Sequence, residues 1–111
     1  MNLTDVYPIL VIIWLHFIGD FFFQTTWMAQ NKSSRWDALG IHIVTYSLLF
    51  FWIGWKYAVV NAVLHGITDA ITSRINKKLW EENRLSDFFL VVGFDQAIHL
   101  TTLILTYIWL V

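Results

Sequence analysis

Cysteine is absent from this sequence of 111 residues. Disulfide bonds, iron–sulfur clusters and thiolate zinc sites are therefore excluded. Proline occurs once, and no linker or low-complexity stretch divides the chain. A chain of this length without such a boundary is expected to form one domain.

Charge is also scarce. Only 14% of the residues are charged and the formal net charge is -1, whereas soluble domains carry roughly 25% charged residues. No basic tail and no strip of mixed aromatic and basic residues is present. Nucleic acid is therefore excluded as an expected partner. The first residues, Met1 to Asp5, place no positive charge ahead of the apolar run, so a cleaved signal peptide is not expected.

Apolar residues are correspondingly abundant. The sequence is 58% hydrophobic and 18% aromatic, with a mean hydropathy of +0.59. A soluble domain of this size buries only about two-thirds of the surface that its unfolded chain exposes. The remaining apolar surface would be sticky in water, so a membrane protein is favoured over a hydrophobic soluble bundle, and membrane lipid is an expected partner.

Four segments are predicted to be membrane helices, each of which needs about 20 mostly apolar residues. They run from about 6 to 28, 36 to 53, 57 to 76 and 87 to 111. The connection between the second and third is so short that these helices must be antiparallel neighbours. The expected fold is all-α, a polytopic four-transmembrane-helix bundle that forms a single domain over residues 1–111.

Positive charge predicts the orientation of the bundle, because lysine and arginine accumulate on the cytoplasmic side. The first and third connections share one side of the membrane, and the opposite side holds only Lys56. This bias predicts a multi-pass protein of the bacterial inner membrane with both termini outside. The basic residues of the two cytoplasmic connections are Lys32, Arg35, Arg74, Lys77, Lys78 and Arg84.

All four histidines fall inside the predicted crossings, and three of them stand four residues from an aspartate. Residues at i and i+4 share one face of a helix. Counted from the cytoplasmic end, the three aspartates lie at one depth and their histidines one turn further out, which predicts an aspartate layer and a histidine layer. The pairs are His16 with Asp20, His65 with Asp69, and Asp95 with His99; His42 is the unpaired histidine, near the aspartate layer.

A buried aspartate in a crossing costs about 2.5–3.5 kcal/mol unless it is compensated. Divalent metal compensates it well, and mixed nitrogen and oxygen donors suit zinc first, with iron or manganese as alternatives. The number of candidate donors exceeds the four ligands of a single zinc site. One or two ions are therefore expected, and two ions would share a bridging carboxylate. The predicted ligands are His16, Asp20, His42, His65, Asp69, Asp95 and His99. A cluster of ion pairs or a proton relay is the alternative, followed by a purely structural role.

Other polar residues are expected around this site. Gln24, Asn61 and Gln96 would orient ligands through hydrogen bonds, or else join helices. At the cytoplasmic rim, substrate would be bound by Lys32, Arg35 and Arg74.

The leading functional hypothesis is a membrane-embedded, metal-dependent hydrolase for a lipid or amphipathic substrate, in which the metal lowers the pKa of water. Asp20, Asp69 and Asp95 are the catalytic candidates, one of them as general base. The runner-up is a transporter or channel for divalent metal or protons, and the third is a di-iron lipid oxidoreductase. The apolar circumference of the second and fourth helices is compatible with a homo-oligomer.

Several motifs resemble the bacterial and phage domain-of-unknown-function 3307 family. They run from His16-x-x-Gly19-Asp20-Phe21-x-x-Gln24 and Met28-Ala29-x-Asn31-Lys32 to His42, His65-x-x-x-Asp69 and Asp95-Gln96-x-x-His99. The resemblance covers nearly the whole chain and implies a small integral membrane protein of unassigned activity. A more distant similarity to inner-membrane proteins described as metal-dependent hydrolases is an analogy at the level of the fold.

Overall fold

Five α-helices account for most of residues 2–111, the part of the chain that the computed structural model describes, with the side chain of Leu3 left aside. No strand occurs within these residues, so the predicted all-α class is confirmed. Met1, where the predicted domain begins, lies outside the described residues. The helices are α1 (Leu3–Phe17), α2 (Thr26–Asn31), α3 (Trp36–Leu48), α4 (Trp55–Glu81) and α5 (Leu85–Leu110).

The first predicted helix, over 6–28, is divided in the structure. It begins earlier, where the Asn2 side chain accepts hydrogen bonds from backbone N–H groups of the first turn. After α1 the chain forms a π-helical turn, Ile18–Phe22, in which the Phe23 N–H donates to the Ile18 carbonyl at 2.8 Å. Thr25 is extended and caps α2 by accepting from the Met28 N–H. The extended residue makes α2 a separate short helix.

The other helices also differ from their predicted bounds. A 3-10 turn, Leu49–Trp52, continues α3. Helix α4 has 27 residues, about 40 Å at 1.5 Å per residue, and extends past the predicted end at residue 76. Only three residues connect it to α5, and among them Asn83 has a φ of 60°, a left-handed conformation that asparagine tolerates.

The long helices form one bundle. Helix α4 packs against both α3 and α5, α1 contacts α5, the π turn contacts α3, and α2 packs against α3. The molecule extends 46 × 28 × 21 Å along its principal axes. The four long helices, α1, α3, α4 and α5, therefore enclose a common interior. The short helix α2 lies at the end of the bundle where α1 ends and α3 begins.

That interior is unusually polar and the exterior is apolar. An apolar core is confined to one part of the bundle and contains Ile12, Tyr46, Phe50, Tyr57, Ala58 and Leu103. Four other buried residues are apolar, namely Met28, Ala38, Leu39 and Leu79. The remaining buried side chains are polar or charged: His16, Asp20, His42, Ser47, Asn61, His65, Asp69, Thr72, Asp95 and His99. On the outside, Trp14 is 63% exposed and Leu90 is 71% exposed. This distribution is the reverse of that in a soluble bundle.

Two helical segments, Thr4–Phe22 and Leu85–Leu110, are long and apolar enough to cross a membrane. Only 22% and 17% of their most apolar stretches are buried inside the protein. The two middle crossings of the sequence prediction do not meet the same criterion. Helix α3 has only 13 residues, and α4 carries the buried polar residues Asn61, His65 and Asp69.

Candidate metal centre

Each helix around the interior contributes to one buried cluster of histidine and aspartate. Helices α4 and α5 each present a pair at i and i+4, and these pairs lie on one helix face. Helix α3 contributes His42, and the π turn contributes Asp20. The contacts between α3, α4 and α5 then bring together donors that are distant in sequence.

A first group consists of Asp20, His42, His65 and Asp69, whose ligand atoms all lie within 4.8 Å of one another. The Nε2 atom of His42 is 3.0 Å from Asp20 Oδ1 and 3.2 Å from Asp69 Oδ2. The Nε2 atom of His65 is 3.6 Å and 3.4 Å from the same two oxygens. The two Nε2 atoms are 3.1 Å apart.

These distances are those of a coordination polyhedron. Four ligands at 2.0–2.1 Å from a tetrahedral zinc ion lie about 3.3 Å from one another. The distances that join the two Nε2 atoms of the first group to each other and to its two carboxylate oxygens run from 3.0 to 3.6 Å. The group can therefore hold one metal ion with little movement of its side chains.

A second group shares Asp20 with the first and adds Asp95 and His99. The Nε2 atom of His99 is 3.2 Å from Asp95 Oδ1 and 3.4 Å from Asp69 Oδ1. Asp69 thus directs Oδ2 toward the first group and Oδ1 toward His99. A carboxylate placed in this way is suited to bridge two ions.

His16 lies outside both groups, although the sequence predicts it as a ligand. Its Nε2 is 2.7 Å from Gln96 Oε1, and its Nδ1 is 2.7 Å from the Tyr46 hydroxyl. Since Gln96 also donates its NH₂ to Asp20 Oδ2 at 2.9 Å, its Oε1 must accept from His16. The Tyr46 hydroxyl then donates to His16 Nδ1. Both ring nitrogens of His16 are therefore occupied by hydrogen bonds.

The separate aspartate and histidine layers predicted from depth are wrong. The Cα atoms of each pair are one turn apart, but the side chains point toward each other. His65 Nε2 is 3.4 Å from Asp69 Oδ2, and His99 Nε2 is 3.2 Å from Asp95 Oδ1. The imidazoles and carboxylates consequently meet in one layer.

Ring stacking fixes the orientation of His65. Its imidazole stacks on Tyr46 with centroids 3.9 Å apart and on His99 with centroids 4.0 Å apart. The Nδ1 atoms of His42 and His65 are buried and find no hydrogen-bond partner among the described residues. The plane of His65 is thus set by its aromatic neighbours rather than by the second-nitrogen hydrogen bond common among metal-bound histidines.

Of the three residues predicted to orient ligands, Gln96 contacts Asp20, Asp95 and His16. Gln24 lines the cavity that also reaches Asp20. Asn61 instead donates to the Tyr57 carbonyl and to Thr106 Oγ1, away from both groups.

The three basic residues predicted to bind substrate at the rim have different surroundings. The Lys32 ammonium lies 3.2 Å from Asp69 Oδ2, so it contacts the cluster directly. Arg35 forms an exposed ion pair with Asp37 at 2.7 Å. The Arg74 guanidinium stacks over Trp36 at 4.3 Å. Neither arginine lines the cavity.

Thr72 is a neighbour of the cluster that the sequence did not indicate. Its hydroxyl donates to Asp95 Oδ1 at 2.5 Å and also contacts the Thr68 carbonyl of its own helix. Its position one turn beyond the predicted His65–Asp69 face was the available signal, because residues spaced by three and four positions share a helix face.

Comparison with known proteins places the chain in a family without placing it in a reaction class. No curated protein and no solved structure matches it. The family described as "Protein of unknown function (DUF3307)" matches residues 9–111. This match covers nearly the whole chain, as the motifs around the histidines and aspartates predicted, and the chain belongs to the DUF3307 family.

Proposed function

We propose that this protein is a membrane-embedded metalloprotein whose metal ion is bound by Asp20, His42, His65 and Asp69. The observation that carries the proposal is the convergence of four buried donor atoms, in which the two Nε2 atoms lie 3.0 to 3.6 Å from each other and from the two carboxylate oxygens. The groups are at most 4% exposed, so water offers them little compensation.

Hydrogen bonds alone account poorly for this convergence. His42 Nε2 faces an oxygen of Asp20, an oxygen of Asp69 and the Nε2 of His65 at 3.0–3.2 Å. A ring nitrogen carries at most one hydrogen, so it cannot donate to three neighbours, and two protonated Nε2 atoms this close would repel. A central cation satisfies all four donors together.

Two imidazoles and two carboxylates favour zinc, with iron or manganese as alternatives. The second group, Asp20, Asp95 and His99, would hold a second ion. With one ion bound, Asp95 remains outside the coordination set and is available as a base.

A membrane accounts for the inverted distribution of polar and apolar residues. Helix α4 is the clearest case, since Val63, Ile67 and Ile71 are each more than half exposed while His65 and Asp69 are buried on the opposite face. In a membrane, these apolar residues would face lipid, and the four helices α1, α3, α4 and α5 would each cross it around the polar interior. The arrangement of basic residues supports an inner-membrane orientation with both termini outside.

A hydrolase fits the shape of the site better than a transporter. A cavity of ≈ 620 Å³ connects Asp20, Asp69 and Asp95 with Lys32 and other residues at the predicted cytoplasmic end. One helical turn beyond the cluster, toward the other end, the buried core of Ile12, Phe50 and Leu103 fills the bundle. The cavity therefore admits a substrate from one side and offers no path across.

In this proposal the metal supplies Lewis acidity and lowers the pKa of water. Asp95 lines the cavity and accepts the Thr72 hydrogen bond at 2.5 Å, so its carboxylate is held in place to accept a proton. Gln96 holds Asp20 and Asp95 through its NH₂ group. A lipid or another amphipathic molecule would bring an ester bond to this point.

Elemental analysis of protein purified in detergent without chelators tests the metal. We expect at least one transition-metal ion per chain, lost in His42→Gln and in His65→Gln. Ser47→Ala is the matched control, because Ser47 is buried but its hydroxyl donates to the Ile43 carbonyl of its own helix and not to the cluster. Wild-type protein without transition metal would contradict the proposal, as would retention of metal by both histidine variants.

The reaction class is tested separately on vesicles of phosphatidylglycerol and phosphatidylethanolamine, with products followed by mass spectrometry. Hydrolysis products that appear with wild-type protein, and not with Asp95→Asn protein that still holds metal, are expected. Metal-loaded protein that releases no product but moves divalent ions across the vesicle membrane would identify a transporter and overturn the hydrolase proposal.

A further inference from the structure

One carboxylate oxygen of the first group has a neighbour that is itself a cation. Asp69 Oδ2 lies 3.2 Å from His42 Nε2 and 3.4 Å from His65 Nε2, and it also accepts a hydrogen bond from the Lys32 ammonium at 3.2 Å. The other ion pairs of lysine and arginine within residues 2–111 join exposed side chains. Of the basic side chains that the structure describes, Lys32 is thus the one held against the proposed metal site.

A metal ion and the Lys32 ammonium would compete for the same negative charge. An ion bound to Asp69 Oδ2 would stand about 2.0–2.2 Å from that oxygen, and the ammonium is 3.2 Å from it. The two cations would therefore be no more than roughly 5.4 Å apart. The Asp69 side chain is only 2% exposed, so solvent would screen little of the repulsion between them.

The place of Lys32 in the chain allows its ammonium to move away. Lys32 directly follows α2, a helix of six residues in which Met28 alone is buried, and its side chain is 18% exposed. The cavity beside it is lined by four carboxylates and two lysines, and Asp95 and Glu81 are among these carboxylates. An ammonium displaced from Asp69 would therefore stay in a cavity of negative charge.

We propose that Lys32 is an intramolecular competitor of the metal ion, whose ammonium leaves Asp69 when the ion binds. The inference rests on the proposed function for the ion itself and adds the regulation of its site. Coupling between two cations at one site is reciprocal. Lys32 therefore lowers the affinity for the ion by the same factor by which the ion weakens the contact of Lys32 with Asp69.

Zinc titration of the purified chain in detergent, after removal of metal with a chelator, tests this competition. Lys32→Met keeps an unbranched side chain without the charge, so it should bind zinc about tenfold to a hundredfold more tightly than wild type. Lys32→Gln, which keeps a hydrogen-bond donor without the charge, should show a similar gain. Lys32→Arg keeps the charge and should not.

Lys77→Met is the matched control. Lys77 is the second lysine of the same cavity, but it is exposed, and within residues 2–111 the ion pair between a lysine and the cluster is that of Lys32. Its substitution should change the zinc affinity by less than about threefold, because solvent and salt screen an exposed charge.

Thermal unfolding of the same proteins separates competition from a merely structural role. In chelator, Lys32→Met should unfold at a lower temperature than wild type, because the buried Asp69 carboxylate loses its partner. Zinc should then raise the unfolding midpoint of Lys32→Met by more than it raises that of wild type, because stabilisation by a ligand grows with its affinity. A lysine that only held Asp69 in position would give the smaller rise in the variant.

Three results would overturn the inference. Unchanged zinc affinity in Lys32→Met and Lys32→Gln would mean that the ammonium does not compete, and reduced affinity in both would make Lys32 a residue that positions Asp69. A gain in Lys32→Arg equal to that in Lys32→Met would exclude charge as the cause. If one of the two uncharged variants does not fold, the other decides.

The same titrations separate this inference from the proposed function. Zinc that binds to neither wild type nor any variant would contradict both. Zinc binding to wild type that depends on His42 but is indifferent to Lys32 would contradict the competition alone. Zinc bound by Lys32→Met and not by wild type would support the competition while contradicting the presence of metal in the wild-type protein.

Discussion

The ring nitrogens of the buried histidines have different partners, and these partners separate their roles. His16 has both nitrogens in hydrogen bonds, to Tyr46 and to Gln96. His42 and His65 direct Nε2 toward two carboxylates and toward each other. His16 is therefore a positioning residue that holds Gln96, whereas the Nε2 atoms of the other two are available to a metal ion.

Substitution of His16 distinguishes these roles. We expect His16→Gln to retain the wild-type metal stoichiometry, with an affinity reduced by at most about 10–100-fold, the usual effect of losing a residue that orients ligands. His42→Gln removes a donor atom and should abolish stoichiometric binding. Metal titration of both purified variants measures this. Equal loss of stoichiometry in the two variants would make His16 a ligand, as the sequence predicts.

Thr72 contributes to the stability of the cluster through Asp95. Thr72→Val removes the hydroxyl that donates to the buried carboxylate at 2.5 Å and lies 2.9 Å from the Thr68 carbonyl. Loss of a hydrogen bond to a charged group should lower the free energy of unfolding by about 1.5–3 kcal/mol. The midpoint of thermal unfolding in detergent reports this loss.

Thr45→Val is the matched control, because Thr45 donates only to the Ile41 carbonyl of its own helix. The difference between the two variants isolates the contact with Asp95. Equal unfolding midpoints would mean that Thr72 does not stabilise the carboxylate.

Sequence spacing predicted correctly which residues come together in the interior. It did not predict which partner each side chain contacts there. Asp69 and His65, or Asp95 and His99, share a face because the helical repeat is local, and matched depths brought the pairs together across helices. The choice of partner depends on side-chain geometry at contacts between helices. Sequence spacing alone could not reveal that the Nε2 atom of His16 is hydrogen-bonded to Gln96.

At the scale of the helix, the π turn is the element that positions Asp20. It lies between α1 and α2 and buries both Gly19 and Asp20. Single π turns inside α-helices occur frequently at functional sites. A Cβ atom on Gly19 would lie 2.9 Å from Cδ2 of Tyr46 and 3.1 Å from Cδ1 of Leu49, so glycine permits the close approach of this turn to α3.

Gly19→Ala should therefore displace the Tyr46 ring, which is 1% exposed and stacks on His65. Overpacking of this kind costs about 1–3 kcal/mol, and the metal affinity should fall as His65 shifts. Gly93→Ala is the control, since nothing lies within 4 Å of a Cβ atom there. Alanine in that exposed helical position should be neutral or stabilising by up to about 1 kcal/mol. Thermal unfolding that is the same in both variants would contradict the packing role of Gly19.

Hydropathy predicted where the long helices lie but not where they end. Helix α4 continues to Glu81 because Lys77, Lys78 and Leu79 are good helix formers, although they are not apolar as a group. Hydropathy could not predict the end of the helix after Phe22. The sequence remains apolar through Phe23, although the backbone hydrogen bonding changes there. Hydropathy and helical geometry are separate properties at both places.

At the scale of the whole molecule, polar residues lie inside and apolar residues lie outside. Trp52 is 90% exposed and Trp109 is 83% exposed, and such residues are typical of membrane interfaces. Basic residues are concentrated at the end of the bundle where the cavity opens. The orientation that follows would place the entrance of the cavity on the cytoplasmic side.

The absence of cysteine makes this orientation directly measurable. Lys56, in the first turn of α4, and Lys78, near the end of the same helix, are both exposed and are separated by most of the length of α4. In cells expressing Lys56→Cys, a membrane-impermeant maleimide should label the protein from outside. In cells expressing Lys78→Cys, labelling should require permeabilisation, because positive charge is concentrated at this end of α4 and such charge favours the cytoplasmic side.

The pair of variants also tests the two middle crossings, which the apolar criterion does not identify. If only Thr4–Phe22 and Leu85–Leu110 crossed the membrane, α3 and α4 would stay together on one side, and both cysteines would have the same accessibility. Labelling of Lys56→Cys alone in intact cells requires α4 to cross. Crossing would also bring the polar face of α4, with His65 and Asp69, to the middle of the membrane, where unpaired charge is most costly and a bound cation stabilises most.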